Sequence, residues 1–152
     1  MTLADPNHIA NSVLNSSRLL LSDLPSNQHG LYALFDDRGQ IRYVGQTACQ
    51  GGYRDRIYNK HVTGSTHGAS GRSGRSHKYA SEYMPLKGRK AAPGFVRAHC
   101  RATIFPIPGR PLGVPQSDPS LKAYKASLCS LEEQVIATIR ACGFALDWNE
   151  QA

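Results

Sequence analysis

The sequence predicts one α+β domain, and three observations carry that expectation. Two short apolar runs flank a four-residue polar turn at 36–39, a further run with alternating arginines covers 94–105, and apolar stripes of helical period stand at both ends of the chain. A chain of 152 residues is long enough to bury a real core but short of what two independent domains need. Its longest apolar run, Leu19 to Leu21, is far below a membrane span, and the N-terminus lacks the basic and apolar regions of a secretory signal. A cytoplasmic protein with no membrane partner is the expectation.

Taken in order, the elements have local physical reasons. Asp5 stands at a capping position and Pro6 at the first helical position, and Ile9, Val13, Leu20, Leu21 and Leu24 recur at helical spacing. These predict a helix over roughly 6–22, within an N-terminal cover of residues 1–29. Pro25 to His29 is loop-like. Gly30 to Phe35 and Gln40 to Gly45 then form a hairpin around Asp36-Asp37-Arg38-Gly39. A four-residue loop would set Phe35 opposite Gln40, Tyr32 opposite Tyr43 and Leu34 opposite Ile41. Leu31, Ala33, Phe35 and Val44 would line the other, core face.

After Gly51-Gly52, residues Tyr53 to Val62 predict a helix presenting Arg54, Arg56, Lys60 and His61. The stretch from Gly64 to Ser76 sets Arg72 and Arg75 among small residues that build no core, which predicts a mobile basic loop. A short helix is expected around His77 to Met84 and a strand over Gly94 to Phe105. Four prolines between Pro106 and Pro115 make the next stretch irregular. Asp118 and Pro119 start the clearest element, a helix whose apolar stripe runs through Leu121, Tyr124, Leu128, Leu131, Val135, Ile139 and Cys142 to Gly143.

Charge is segregated along the chain. Residues 50–101 hold 11 Lys or Arg against Asp55 and Glu82, a formal +9, while the remainder of the +7 chain carries −2. A block of that kind suits a polyanion, because each neutralised phosphate releases condensed counterions. Arg54, Lys60, Arg72, Arg75 and Lys78 are the candidate DNA contacts. Cys49, Cys100, Cys129 and Cys142 form no CxxC pair, and His61, His67, His77 and His99 lack paired helical spacing, so no zinc site is indicated.

Two features need an explanation beyond packing. At about 100° per residue, Glu132 falls within roughly 60° of the centre of the last helix's apolar stripe, whereas Glu133 points nearly the opposite way. An inward carboxylate calls for either a buried ion pair with an arginine or a bound metal. Tyr32 and Tyr43 face each other across the hairpin beside Gly30 and Gly45, glycines that let another group approach the backbone closely.

These residues resemble a known family. Gly30-Leu31-Tyr32, ten intervening residues, and Tyr43-Val44-Gly45-Gln46-Thr47 are similar to the paired signature of the GIY-YIG nucleases, with Leu and Val in place of two isoleucines. Arg56-Ile57 with His61 resembles the family's arginine helix, Leu131-Glu132 with Val135-Ile136 its glutamate helix, and Trp148-Asn149 its closing asparagine. The resemblance spans 30–149. It departs in a longer stretch between Gly45 and Arg56, in the five-residue spacing from Arg56 to His61 where four is expected, and in a basic insertion over 63–93. Arg54 therefore stays a rival for the arginine role.

The resemblance implies a three-stranded antiparallel sheet over 30–36, 40–45 and 95–105, flanked by helices. It also implies a hydrolase cutting DNA, most like the compact restriction endonucleases. Glu132 would hold one Mg²⁺ or Mn²⁺, Arg56 would bind the phosphate, and Tyr32 would take a proton from water while Tyr43 orients the nucleophile. His61 would touch phosphate or assist proton transfer, and Asn149 would brace the site. The implied partners are DNA and, compatibly, a second copy of the chain. Alternatives are a structure-specific, single-strand-directed or toxin-like nuclease, and a basic nucleic-acid-binding protein that does not cut.

Overall fold

A computed structural model describes residues 5–64 and 77–149, an α+β arrangement around a four-stranded antiparallel sheet. The elements are α1 (Pro6–Asn15), β1 (Leu19–Leu20), β2 (Gly30–Phe35), β3 (Ile41–Thr47), a π-helical α2 (Arg54–His61), α3 (Lys78–Lys87), α4 (Ala92–His99), β4 (Arg101–Pro106) and α5 (Pro119–Ala141). Single 3₁₀ turns follow β1 at Leu21–Asp23 and close the described chain at Asp147–Asn149.

The strand order β1-β4-β2-β3 puts β2 in the interior and leaves β3 at an edge. All six residues of β2 are buried, because both sheet faces are covered. Leu31, Ala33, Phe35, Ile41 and Val44 pack with Ile9 and Val13 of α1 and Val135 and Ile139 of α5. On the opposite face, Tyr32 and Leu34 pack with Ile57 of α2, Tyr79 and Tyr83 of α3, Val96 of α4 and Trp148. The predicted core face is therefore one of two.

Several expectations are corrected. The first helix ends at Asn15 rather than near residue 22. Asn15 turns its amide back onto the Asn11 carbonyl, and Ser16 adopts extended backbone, the usual behaviour of short polar side chains that compete for main-chain bonds. Arg18 then bonds the Gly39 carbonyl at 2.6 Å and lies over the Phe35 ring, so the chain joins the sheet. Leu19 pairs with Ala102 and Leu20 with Arg101, a fourth strand that the three-strand expectation lacks. Its brevity hides it from any two-residue periodicity.

The hairpin register also differs. Phe35 pairs with Ile41, Leu34 with Tyr43 and Tyr32 with Gly45, because Arg42 is bulged out of the ladder. The bulge frees Arg42 to bind Asp36 at 2.9 Å and to grip Asp147 through Nε at 2.6 Å and Nη2 at 2.8 Å, with its guanidinium over the Trp148 ring. It also moves Ile41 from the Leu34 face to the Phe35 face.

The third strand begins at Arg101, and residues 92–99 form α4 instead. Pro93 lies in the first turn, the buried pair Ala92 and Val96 is spaced i,i+4, and Phe95 meets His99 at 4.6 Å between rings. Those four-residue pairs outweigh the alternating pattern of arginines. The last helix starts under an Asp118 cap as expected, with Leu121, Tyr124, Leu128, Val135 and Ile139 buried, though Cys142 is exposed beyond its end.

Gly45 is where the sheet makes room for the tyrosines. A Cβ there would fall 2.5 Å from Tyr43 Cε2 and 2.7 Å from both Cζ and Oη of Tyr32. Rings wedged in a core cannot swing aside as a flexible chain end can. Gly45→Ala should lower stability by about 1–3 kcal/mol in chemical denaturation, and an unchanged midpoint would show that the rings have space to shift.

Candidate active site

Backbone register brings the two tyrosines together diagonally. Tyr32 faces Gly45, Tyr43 faces Leu34, and their rings stand 6.1 Å apart on one face of the sheet. Tyr32 is wholly buried while Tyr43 is partly accessible. The rings of Tyr53 and His61 lie 6.2 and 5.9 Å from Tyr32, so the phenol is enclosed by aromatic walls.

A buried hydroxyl must be satisfied, and His61 satisfies this one. Its Nδ1 accepts the Lys78 backbone N–H at 2.9 Å, which places the ring proton on Nε2. That N–H then donates to Tyr32 Oη across 2.8 Å. His61 is therefore neutral, in keeping with a pKa held well below the usual value by burial first and by the Arg56 charge second. In this tautomer it supports a developing phenolate on Tyr32 and has no free lone pair facing the phenol.

The π-helical geometry of α2 explains the unusual spacing. Bonds from i to i+5 widen the turn, so Arg56 and His61, five residues apart, address the same tyrosine. Burial raises the Tyr32 pKa, and the neighbouring Arg56 guanidinium opposes that rise. Tyr43 is pushed well above the ordinary phenol range by burial, then by the negative charges that Tyr32 and Glu132 can carry. Arg54, the rival, instead donates to the Ser22 carbonyl and stacks on Tyr58.

Glu132 projects from α5 toward this cluster and is half-buried, while Glu133 is exposed. Among the described residues no cation lies within 4 Å of Glu132, so a close buried ion pair is not formed. Burial, and then the Glu133 charge, push its pKa up to about 7 against the pull of Arg56. Asn149 reaches the open edge of β3, where its Oδ1 accepts from Val44 N–H and its Nδ2 donates to Val44 C=O, both at 2.9 Å. That side chain closes the edge beside Tyr43 as a short peptide would.

A polar cavity of about 550 Å³ opens beside Arg56, lined also by Lys60, Gln46, Gln116, Lys125 and Cys129. Lys60 is paired with Asp55 at 3.3 Å on its rim. Lys125 bonds Gln116 at 2.7 Å, and Gln46 approaches Cys129. Of the other candidate DNA contacts, Lys78 is not on an outer basic face. It is buried at the start of α3, its ammonium 5.2 Å from the Tyr43 ring centroid. Arg72 and Arg75, with the expected mobile loop, lie outside the described residues. Sequence reasoning did not single out Gln116 or Lys125, because nothing local ties the irregular 106–118 segment to the loop after β3.

Among the described residues no three His, Cys, Asp or Glu side chains gather to hold a metal. The described residues thus offer Glu132 no cage made entirely of protein ligands. Mg²⁺, which keeps several waters and takes one or two carboxylates plus phosphate oxygens, fits a single uncompensated carboxylate beside an arginine.

No protein-family model, curated protein or solved structure matches the chain. No described helix is long and apolar enough to cross a membrane.

The Glu132 shift has a stability consequence. Its folded pKa of about 7 exceeds the ordinary 4.5, so stability tied to the neutral carboxyl is complete below pH 4.5 and is lost as pH rises toward 7. Glu132→Gln keeps a neutral shape at every pH. At pH 8 without metal it should exceed the wild type in stability by about 2–3 kcal/mol, after discounting for partial exposure, and near pH 4 the difference should vanish. Denaturant titrations at both pH values check this, and a less stable Glu132→Gln protein at pH 8 would point to a buried ion pair instead.

Proposed function

We propose that the chain is a metal-dependent endonuclease of the GIY-YIG kind, hydrolysing phosphodiester bonds in duplex DNA. The observation that supports this reading most is the convergence of a half-buried Glu132, with no cation within 4 Å among the described residues, on Arg56 and the Tyr32–His61 pair, with a polar cavity opening beside Arg56. Packing alone gives no reason to keep a carboxylate there. DNA as substrate follows from the +9 carried by residues 50–101.

Hydrolysis needs a deprotonated water, relief of charge on phosphorus and a defined geometry. Arg56 matches a phosphate through its planar fork, better than a lysine. Glu132 would hold Mg²⁺ or Mn²⁺, which, when bound, offsets charge on the phosphate and acidifies a coordinated water. Tyr43, the more accessible phenol, orients the nucleophile. Tyr32 serves as acceptor in its phenolate form, which burial opposes and the His61 N–H and the Arg56 charge favour. Shut off from water, it receives the proton of the Tyr43 hydroxyl as Tyr43 takes one from the water. Asn149 keeps β3, and hence Tyr43, in place.

Plasmid DNA should be cut with Mg²⁺ or Mn²⁺ and stay intact in excess chelator. Glu132→Gln should abolish cutting while DNA binding survives, and Tyr32→Phe should slow it by about 10² to 10⁴-fold with the fold retained. Glu133→Gln, on the exposed side, should cut normally. Full activity in chelator, or an active Glu132→Gln protein, would overturn the mechanism. DNA binding without cutting under any metal would instead make the chain a binding protein.

A further inference from the structure

We infer that Arg54 and Arg97, gathered on Tyr58, form a second site for a backbone phosphate of nucleic acid, separate from the phosphate that Arg56 would engage. The inference rests on the DNA reading above. The guanidinium carbons of Arg54 and Arg97 lie 4.3 and 4.1 Å from the Tyr58 ring centroid. One arginine comes from α2 and the other from α4, so tertiary folding brings the charges together.

The anchors of both side chains are uncharged. Arg54 Nη1 donates to the Ser22 carbonyl, and Arg97 Nη2 donates to the Tyr58 carbonyl at 2.9 Å. Carboxylates are spent elsewhere: Arg42 takes Asp36, Glu82 and Asp147, and Lys60 takes Asp55. Among the described residues none lies within 4 Å of Arg54 or Arg97, and Arg97 Nε is buried with no partner.

Two like charges held at one ring repel each other, and stacking fixes the plane of each guanidinium without neutralising it. The Nη N–H groups not taken by those carbonyls remain as oriented donors for an anion, whereas the buried Arg97 Nε takes no part. A phosphodiester supplies one, with oxygens spaced for two-point bonding. The cluster is anchored through the Ser22 carbonyl and α4 rather than through the tyrosine pair, so the phosphate bound here belongs to nucleotides flanking the cut bond. Contacts of that sort position a duplex and add affinity without reading sequence.

The test is the salt dependence of duplex binding in chelator, where nothing is cut, for the wild type, the Arg54→Gln/Arg97→Gln double variant and an Arg89→Gln/Lys90→Gln control of equal charge. The double variant should bind more weakly and lose about one unit of log–log salt slope, well beyond the control, with an unchanged melting temperature. A slope loss no larger than the control's overturns the inference while leaving the nuclease reading standing. Stabilisation by inorganic phosphate that depends on this pair, with unaltered DNA binding, would assign it to a small anion and overturn it as well. A wild type that neither binds nor cuts DNA removes the underlying reading. Should the double variant unfold, Arg97→Lys, which keeps the charge and loses the fork, decides the point: unchanged affinity sinks the inference.

Discussion

The oxygen of Tyr32 has no access to water, and a buried hydroxyl left without a partner costs on the order of 1–3 kcal/mol. Much of the fold can be traced to how that oxygen is satisfied. His61 must arrive with its Nε2–H pointing at the phenol, which requires the Lys78 N–H to occupy Nδ1, and so couples α2 to the first residue of α3. The wide turn of α2 delivers His61 while keeping Arg56 beside the same ring. Gly45 supplies the space into which the phenol fits, and Gly30 does the same for Tyr53, whose hydroxyl reaches the Leu31 carbonyl. One hydrogen bond thus ties a hairpin, a wide-turned helix and a glycine edge into a single arrangement.

How much of this was legible in the sequence depends on the range of the interaction that decides each element. The hairpin, the Asp118 cap and the inward face of Glu132 were readable, since turn residues, caps and helical phase act within a few residues. The bulge at Arg42 was not, because the freed side chain finds its partner in Asp147, 105 positions away. The end of α1 was missed for a related reason: Leu20 and Leu21 kept an apolar rhythm, but Arg18 bonding Gly39 turned the chain into the sheet. Phe95 and Val96 read as strand until their i,i+4 partners His99 and Ala92 were given equal weight. The five-residue step from Arg56 to His61 was visible, yet its meaning lay in backbone hydrogen bonding that composition does not encode.

Glu132 separates two physical readings that the sequence left open. A buried ion pair would have lowered its pKa and locked an arginine against it; instead burial dominates and the carboxyl is pushed up to about 7. Among the described residues, Arg42 forms close pairs that knit the hairpin turn to the C-terminal turn, and Lys60 is held by Asp55 on the cavity rim. Structural pairing is therefore used where elements must be fastened. Beside the tyrosines, Arg56 and Glu132 form no close ion pair among the described residues, and each shifts the affinity of its neighbours for protons.

That division extends across α2. Arg56 acts on a phenol and Arg54 lies on a phenol ring, and the two are separated by a single acidic residue that pairs with Lys60. A helix whose only purpose was packing would gain from placing Asp55 against either arginine. Spending it on Lys60 leaves two guanidiniums with oriented donors on different sides of one helix, Arg54 fixed by the Tyr58 ring and the Ser22 carbonyl and Arg56 placed beside the Tyr32 hydroxyl, rather than held by counter-charges. Such fixation limits rotamer freedom before any anion arrives, so a bound phosphate has less ordering to impose on the side chains, and affinity is gained through preorganisation rather than through added charge.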